Sequence, residues 1–138
     1  MPSSLHGKTA LITGSTSGIG LGIATVLAEQ GCNIMLNGFG DPDTIEALRH
    51  EMEQAYKGDI AYHGADLSKG EEARALVRDT ETRFGQVDIL VNNAGIQHVD
   101  PIESFPTEKW DAILAINLSA AFHTMATAIP GMQQRQWG

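Results

Sequence analysis

Thr13-Gly14-Ser15-Thr16-Ser17-Gly18-Ile19-Gly20 follows the apolar stretch Ala10-Leu11-Ile12 and opens a run with apolar residues at helical spacing. A strand, a glycine-rich turn and a helix N-terminus in that order make a cradle for a pyrophosphate. Backbone N–H groups converge on the anion, the helix dipole favours negative charge, and glycine permits close approach. A plain strand-to-helix turn has no use for three glycines at the spacing of Gly14, Gly18 and Gly20. Thr13, Ser15, Thr16 and Ser17 are expected to add hydroxyl and backbone donors around the phosphates, with Ile19 at the start of the helix.

The same alternation runs outward along the chain. A strand over 9–13 leads into a helix over 18–30, with Ile19, Ile23, Val26 and Leu27 as its apolar stripe and Gly31 as its C-terminal cap. A second strand, 33–37, precedes Asp41-Pro42, an N-cap followed by a first-turn proline. That helix carries Ile45, Leu48 and Met52 and is expected to end at Gly58. A third strand covers 59–63, and Ser68-Lys69-Gly70-Glu71 reads as a capping box for a helix with Ala73, Leu76, Val77 and Thr80 on one side. The fourth strand is 87–91, its loop runs to Pro101, and a long apolar helix begins near Thr107. Strands alternating with helices predict an α/β fold, a doubly wound parallel sheet of four strands in the order 3-2-1-4. A ligand then belongs beyond the strand ends where the order reverses, between Gly14–Gly20 and the loop Asn92-Asn93-Ala94-Gly95-Ile96-Gln97.

The bulk numbers narrow the function. In 138 residues, 42% hydrophobic and 19% charged, one globular domain is expected, and the net charge of −8 argues against a nucleic-acid or anionic-membrane surface. An anionic ligand must be held by local dipoles against the overall field. Cys32, the single cysteine, reads as a small buried thiol; no secretion signal and no run of membrane-spanning length are read, so a cytoplasmic protein is expected. His6, His50, His63, His98 and His123 have no paired ligand spacing, and no metal site is predicted.

Gly14-x-x-x-Gly18-x-Gly20, Asn92-Asn93-Ala94-Gly95 after an apolar strand, and Asn117 within a helix together resemble the short-chain dehydrogenases/reductases, and the spacing agrees along all 138 residues. Asn37-Gly38-Phe39-Gly40 and Gly95-Ile96-Gln97-His98 most resemble the members of that family that oxidise D-3-hydroxybutyrate. The resemblance implies a Rossmann-type fold and a nicotinamide dinucleotide. It implies that Asp66 accepts from the adenine amino group while Leu67 donates from its backbone, and that Asn93, Ala94 and Gly95 run beside the ribose. Phe39 would cover the adenine face or pack as a loop aromatic, and Ile116 would lie near the nicotinamide. Gln97 would bond the substrate carboxylate, and Asn117 would support a water in the catalytic proton relay. Asn37 departs from the acid often placed there for the adenosine 2′-hydroxyl; with no Arg or Lys at Ser17 or over 37–40, NAD is favoured over NADP.

The family's chemistry also needs a serine and a Tyr-x-x-x-Lys pair. Tyr56 and Tyr62 are the only tyrosines, and Ile60 and Asp66 stand four residues after them. The expectation is therefore the N-terminal dinucleotide-binding part of a larger homo-oligomeric (tetrameric) enzyme, inactive alone and association-prone. Two other readings stay open: a dinucleotide-binding or subunit-interaction module without catalysis, and a 3-oxoacyl-type reductase of the same family.

Overall fold

The computed structural model describes residues 3–138; Met1 and Pro2, at the start of the stretch read for a secretion signal, lie outside the described residues. Four strands, β1 (Thr9–Ile12), β2 (Asn33–Asn37), β3 (Ile60–His63) and β4 (Ile89–Val91), form one parallel sheet in the order β3-β2-β1-β4. The helices α1 (Gly18–Glu29), α2 (Pro42–Ala55) and α3 (Gly70–Phe84) connect them. A 3₁₀ turn (Ile102–Ser104), α4 (Thr107–Leu114), a π-helical segment (Ala115–Ser119) and α5 (Ala120–Arg135) follow.

Strand residues alternate between two cores because successive side chains point to opposite faces. Ala10, Ile12, Ile34, Leu36 and Ile60 join Ala24, Ala28 and Met52 on the α1–α2 side. Leu11 and Met35 meet Ala73, Leu76, Val77, Ala120 and Ala128 on the α3–α5 side. The predicted α3 stripe, Ala73, Leu76, Val77 and Thr80, is buried in full. α1 is different. Its buried face is Gly20, Ala24 and Ala28, whereas Ile19 and Val26 of the expected stripe are 78% and 56% exposed. Small residues let this helix lie close to the sheet, which brings its N-terminus over the ends of β1 and β2.

The helix ends hold further corrections. Gly31 caps α1 as expected, its φ at +86°, with Gly31 N–H donating to Ala28 and Cys32 N–H to Leu27, a Schellman pair. α2 ends at Ala55, three residues before Gly58, and Gly58 serves another purpose: a Cβ there would come within 2.0 Å of the Cys32 carbonyl oxygen. The capping box at Ser68 does not form. Ser68 donates instead to Asp66 through its own N–H and hydroxyl, and Glu72 accepts from the Asp66 N–H, so the turn preceding α3 is braced around Asp66.

The run Thr107–Arg135 spans 29 residues, and its apolar window reaches a mean hydropathy of 1.5, so by length and composition alone it could cross a membrane, contrary to expectation. Ala120, Thr124 and Ala128 are buried, Ala120 and Ala128 in the core they share with α3. Trp110, Leu114, Leu118, Phe122, Met125 and Ile129 leave an apolar outer face. Among the described residues β4 pairs with β1 alone, and it is half-buried.

Candidate functional site

A crevice of about 280 Å³ opens beyond the carboxyl ends of β1, β2 and β4, lined by the glycine turn, the β2–α2 loop, the end of the β3 loop and the β4 loop. Of the predicted residues, Gly14, Thr16, Ser17, Phe39, Leu67, Asn93, Ala94, Gly95 and Ile116 line it. Ile96, on the loop expected to face the ligand, lines it too, as do Asn37, Gly38 and Ala65, which were not assigned to it from the sequence. The signal for these three was present as position: each lies within two residues of a predicted lining residue, Phe39 or Leu67.

Close backbone approach explains two of the glycines. A Cβ on Gly14 would lie 2.9 Å from Ala94 Cα, and one on Gly20 would lie 2.2 Å from the Gly14 carbonyl oxygen and 2.5 Å from Asn93 Nδ2. Asn93 is the strap across this junction. Its Nδ2 donates to the carbonyls of Thr13 and Gly14 at 3.1 and 3.0 Å. Gly18 (φ +58°) would meet nothing within 4 Å, so its side of the turn is open space.

Two hydroxyls expected at the phosphates are committed elsewhere. Thr13 Oγ1 accepts from the N–H groups of Asn93 and Ala94, both at 3.0 Å. Ser15, fully buried, donates to the Ile12 carbonyl at 2.7 Å and accepts from Asn37 N–H. They build the cradle from behind, leaving Thr16 and Ser17 as the hydroxyls on its wall. Ile19 is exposed at the helix start.

Asn37 is 1% exposed and wired on three sides. Its Oδ1 accepts from Gly14 N–H at 3.2 Å, and its Nδ2 donates to the carbonyls of His63 and Ala65 at 3.1 and 3.2 Å. Gly38, next along, has no room for a Cβ because Thr16 Oγ1 would lie 2.3 Å away. Phe39 is 70% exposed with its ring unburied, so it is no tucked core aromatic.

Asp66 does not reach the crevice lining. Its carboxylate is engaged by Ser68, and those hydrogen bonds hold it below the ordinary aspartate range, with Lys69 a lesser contributor. Asn117 lies in the π-helical segment, where one extra residue per turn is characteristic of functional sites. It grips the β4 loop from both sides: Oδ1 accepts from Ile96 N–H at 2.8 Å and Nδ2 donates to the Ile96 carbonyl at 3.0 Å. That exchange offsets the low helix propensity of asparagine. Gln97, one residue beyond Ile96, is exposed outside the crevice. Asn92 accepts from Thr124 Oγ1 at 2.7 Å and so ties the loop to α5.

Electrostatically the crevice suits a phosphate. No acidic residue sits in the first turn of α1, and the Ser17 side chain makes no capping bond there. α2 and α3 carry Asp43 and Glu71 with Glu72 in theirs. The α1 dipole and its first N–H groups therefore face the crevice without a protein anion. Ala65, Leu67 and Ile116 give the remainder an apolar wall fit for a flat ring.

A doubly wound parallel sheet with an uncapped helix N-terminus at its switch point is the architecture of the Rossmann-type dinucleotide-binding proteins. A family model for short chain dehydrogenases matches residues 8–138, and the chain belongs to that family. It is 61% identical over 135 residues to a D-beta-hydroxybutyrate dehydrogenase of Cupriavidus necator, covering 97% of this chain and 51% of that protein. It is 53% identical over 131 residues to a D-beta-hydroxybutyrate dehydrogenase of Rhizobium meliloti, covering 95% and 51%. The chain spans about half the length of the curated relatives it matches. Among solved structures, L-sorbose reductase from Gluconobacter frateurii, complexed with NADPH and L-sorbose, aligns with a TM-score of 0.90 at 32% identity, over 98% of this chain and 51% of that one. A metagenomic short-chain oxidoreductase in complex with NADP gives 0.89 at 32%, over 99% and 61%.

Proposed function

We propose that these 138 residues are the dinucleotide-binding half of an NAD-dependent, cytoplasmic dehydrogenase that interconverts 3-hydroxybutyrate and acetoacetate. The observation that carries this reading is the acid-free, uncapped start of α1 above a glycine turn with no room for a side chain at Gly14 or Gly20. The 61% identity to a hydroxybutyrate dehydrogenase supports the substrate, against 34% to a 3-oxoacyl-[acyl-carrier-protein] reductase of Staphylococcus epidermidis. A nicotinamide held here would supply the hydride acceptor for the substrate carbinol carbon, with the hydroxyl proton left to an acid/base group outside this chain.

Each part of the chain then has a task. The N–H groups at the start of α1, with Thr16 and Ser17, hold the pyrophosphate; Gly18 leaves open space for it, and Gly14 and Gly20 let the turn, the β4 loop and α1 close up beside it. Leu67, Ala65 and Phe39 enclose the adenine, and Asn93, Ala94 and Gly95 run along the ribose, with Ile116 beneath the reactive end. Gln97 donates its amide to the substrate carboxylate. Asn117 fixes the Ile96 backbone and with it the loop on which Gln97 stands; its further role is to hold a relay water. The serine and the Tyr-x-x-x-Lys pair of the family are assigned to the remainder of the enzyme, and the chain alone is inactive. The outer face of α4 and α5, from Trp110 to Ile129, is the surface through which subunits associate into a tetramer.

NAD is preferred because the crevice lining holds no cation for a 2′-phosphate, even though the structural neighbours named above carry NADP or NADPH. Paired calorimetric titrations of this chain with NAD⁺ and NADP⁺ test the reading. Saturable binding with NAD⁺ the tighter ligand supports it, and tighter NADP⁺ binding or none of either refutes it.

A further inference from the structure

His63 is one of five histidines that the sequence offers no use for, and the fold puts it at the end of β3 beside the crevice. Its Nδ1 accepts the N–H of Ala65 at 3.1 Å, and its Nε2 lies 2.7 Å from Oδ2 of Asp79 on α3. An N–H can only donate, so Nδ1 presents its lone pair to Ala65 and the ring proton resides on Nε2, directed at Asp79. The two contacts divide the work: the carboxylate sets the ring plane and the tautomer, and the ring sets the backbone of Ala65. Ala65 is 3% exposed, lines the crevice and returns its carbonyl to Asn37. Leu67, two residues on, is the next lining residue.

We propose that His63, braced by Asp79, is a positioning residue for the adenine end of the crevice, setting the Ala65–Leu67 turn against which a purine packs. The proposal rests on the dinucleotide reading above and adds a residue to it. Among the described residues no other side chain bonds the Ala65 N–H, and the turn has no strand partner beyond His63. The ring itself stays outside the crevice lining, so it acts through the backbone and touches no ligand.

Asparagine is the informative replacement. Its Oδ1 stands two bonds from Cβ, as Nδ1 does, and accepts an N–H two residues on in an Asx turn, while its amide cannot reach Asp79 as the ring does. Leucine keeps bulk and loses the acceptor. The whole chain, as wild type, His63→Leu and His63→Asn, is titrated with AMP and separately with nicotinamide mononucleotide, read by amide NMR shifts. His63→Leu is expected to weaken AMP by about three- to tenfold, the worth of one backbone hydrogen bond. His63→Asn is expected to recover most of that loss, and nicotinamide mononucleotide affinity is expected to stay level across all three.

Hydrogen exchange at the Ala65 amide, faster in His63→Leu and restored in His63→Asn, checks the contact without ligand. Unchanged AMP affinity in His63→Leu, no recovery in His63→Asn, equal loss for both mononucleotides, or unaltered Ala65 exchange overturns the proposal. If wild type binds AMP and the variants bind it equally, this inference fails alone. If wild type binds neither mononucleotide, the dinucleotide reading fails and takes this inference with it.

Discussion

Gly14 and Gly18 share a backbone conformation, with φ of +62° and +58°, but not a neighbourhood, and this separates two costs that usually travel together. An alanine at either position is forced into the left-handed region, at about 1–2 kcal/mol. At Gly18 that is the whole cost, because its Cβ meets nothing within 4 Å. At Gly14 the new methyl stands 2.9 Å from Ala94 Cα and 3.2 Å from its Cβ, so the β4 loop must move. Overpacking of this kind adds about 1–3 kcal/mol. Gly14→Ala should therefore cost about 2–5 kcal/mol and Gly18→Ala about 1–2. With an unfolding entropy of about 2.1 cal/mol/K per residue, a chain of 138 residues loses about 3.5 °C of Tm per kcal/mol. Thermal unfolding by circular dichroism should then place Gly18→Ala about 4–7 °C below wild type and Gly14→Ala about 7–17 °C below it. The open space at Gly18 is where the pyrophosphate is proposed to lie, so Gly18→Ala should lose NAD affinity by more than its modest stability loss accounts for. Two variants that melt together, or a Gly18→Ala chain that binds NAD as wild type does, would refute the reasoning.

Asn117→Ala removes both bonds to the Ile96 backbone, at about 1–2 kcal/mol, and should speed hydrogen exchange at the Ile96 amide. Acid should loosen the turn before α3. The hydrogen bonds from Ser68 hold Asp66 below the ordinary value of 3.8, so its stabilisation is present above that value and is lost as pH falls through the lower folded value. Asp66→Asn should flatten that part of a stability-against-pH curve. Burial, and then the charge of Asp88, raises the Cys32 thiol, which should react with a thiol reagent only as fast as the chain unfolds; prompt labelling of the native chain would contradict its placement. Phe122→Glu, at a position 60% exposed on the α5 face, should shift sedimentation toward monomer without changing the circular dichroism spectrum.

The strand order and the two switch-point loops were legible in the sequence because parallel strands announce themselves as short apolar runs between capped helices. Less legible was anything decided by contact between distant segments. The α1 stripe was half right: Ile23 and Leu27 pack against the core, but apolar periodicity also favours Ile19 and Val26, while the sheet selects the smallest face, Gly20, Ala24 and Ala28. Ser68 looked like a cap, yet Asp66 two residues earlier offers it a carboxylate, and the cap is lost to that competition. Thr13 and Ser15 could be placed at the phosphate turn by position, but only the fold reveals that the β4 loop and β2 take up their hydroxyls. The π-helical segment around Asn117 has no local signature, since it exists to bring a helix amide to a loop 21 residues earlier.

Asn37 imposes a constraint on how the protein can change. One amide group presents an acceptor to the glycine turn and two hydrogens to the β3 end, so three segments share a single fastener. Aspartate has the same outline but would turn an oxygen toward two carbonyl oxygens. An engineer seeking to graft an acidic ribose ligand at this address would have to redesign the exit of β3 in the same step. Equivalence of position with a relative that has an acid here therefore carries no equivalence of task, and with Gly38 closed by Thr16, residue 39 is the place where the ligand preference of this crevice is open to adjustment.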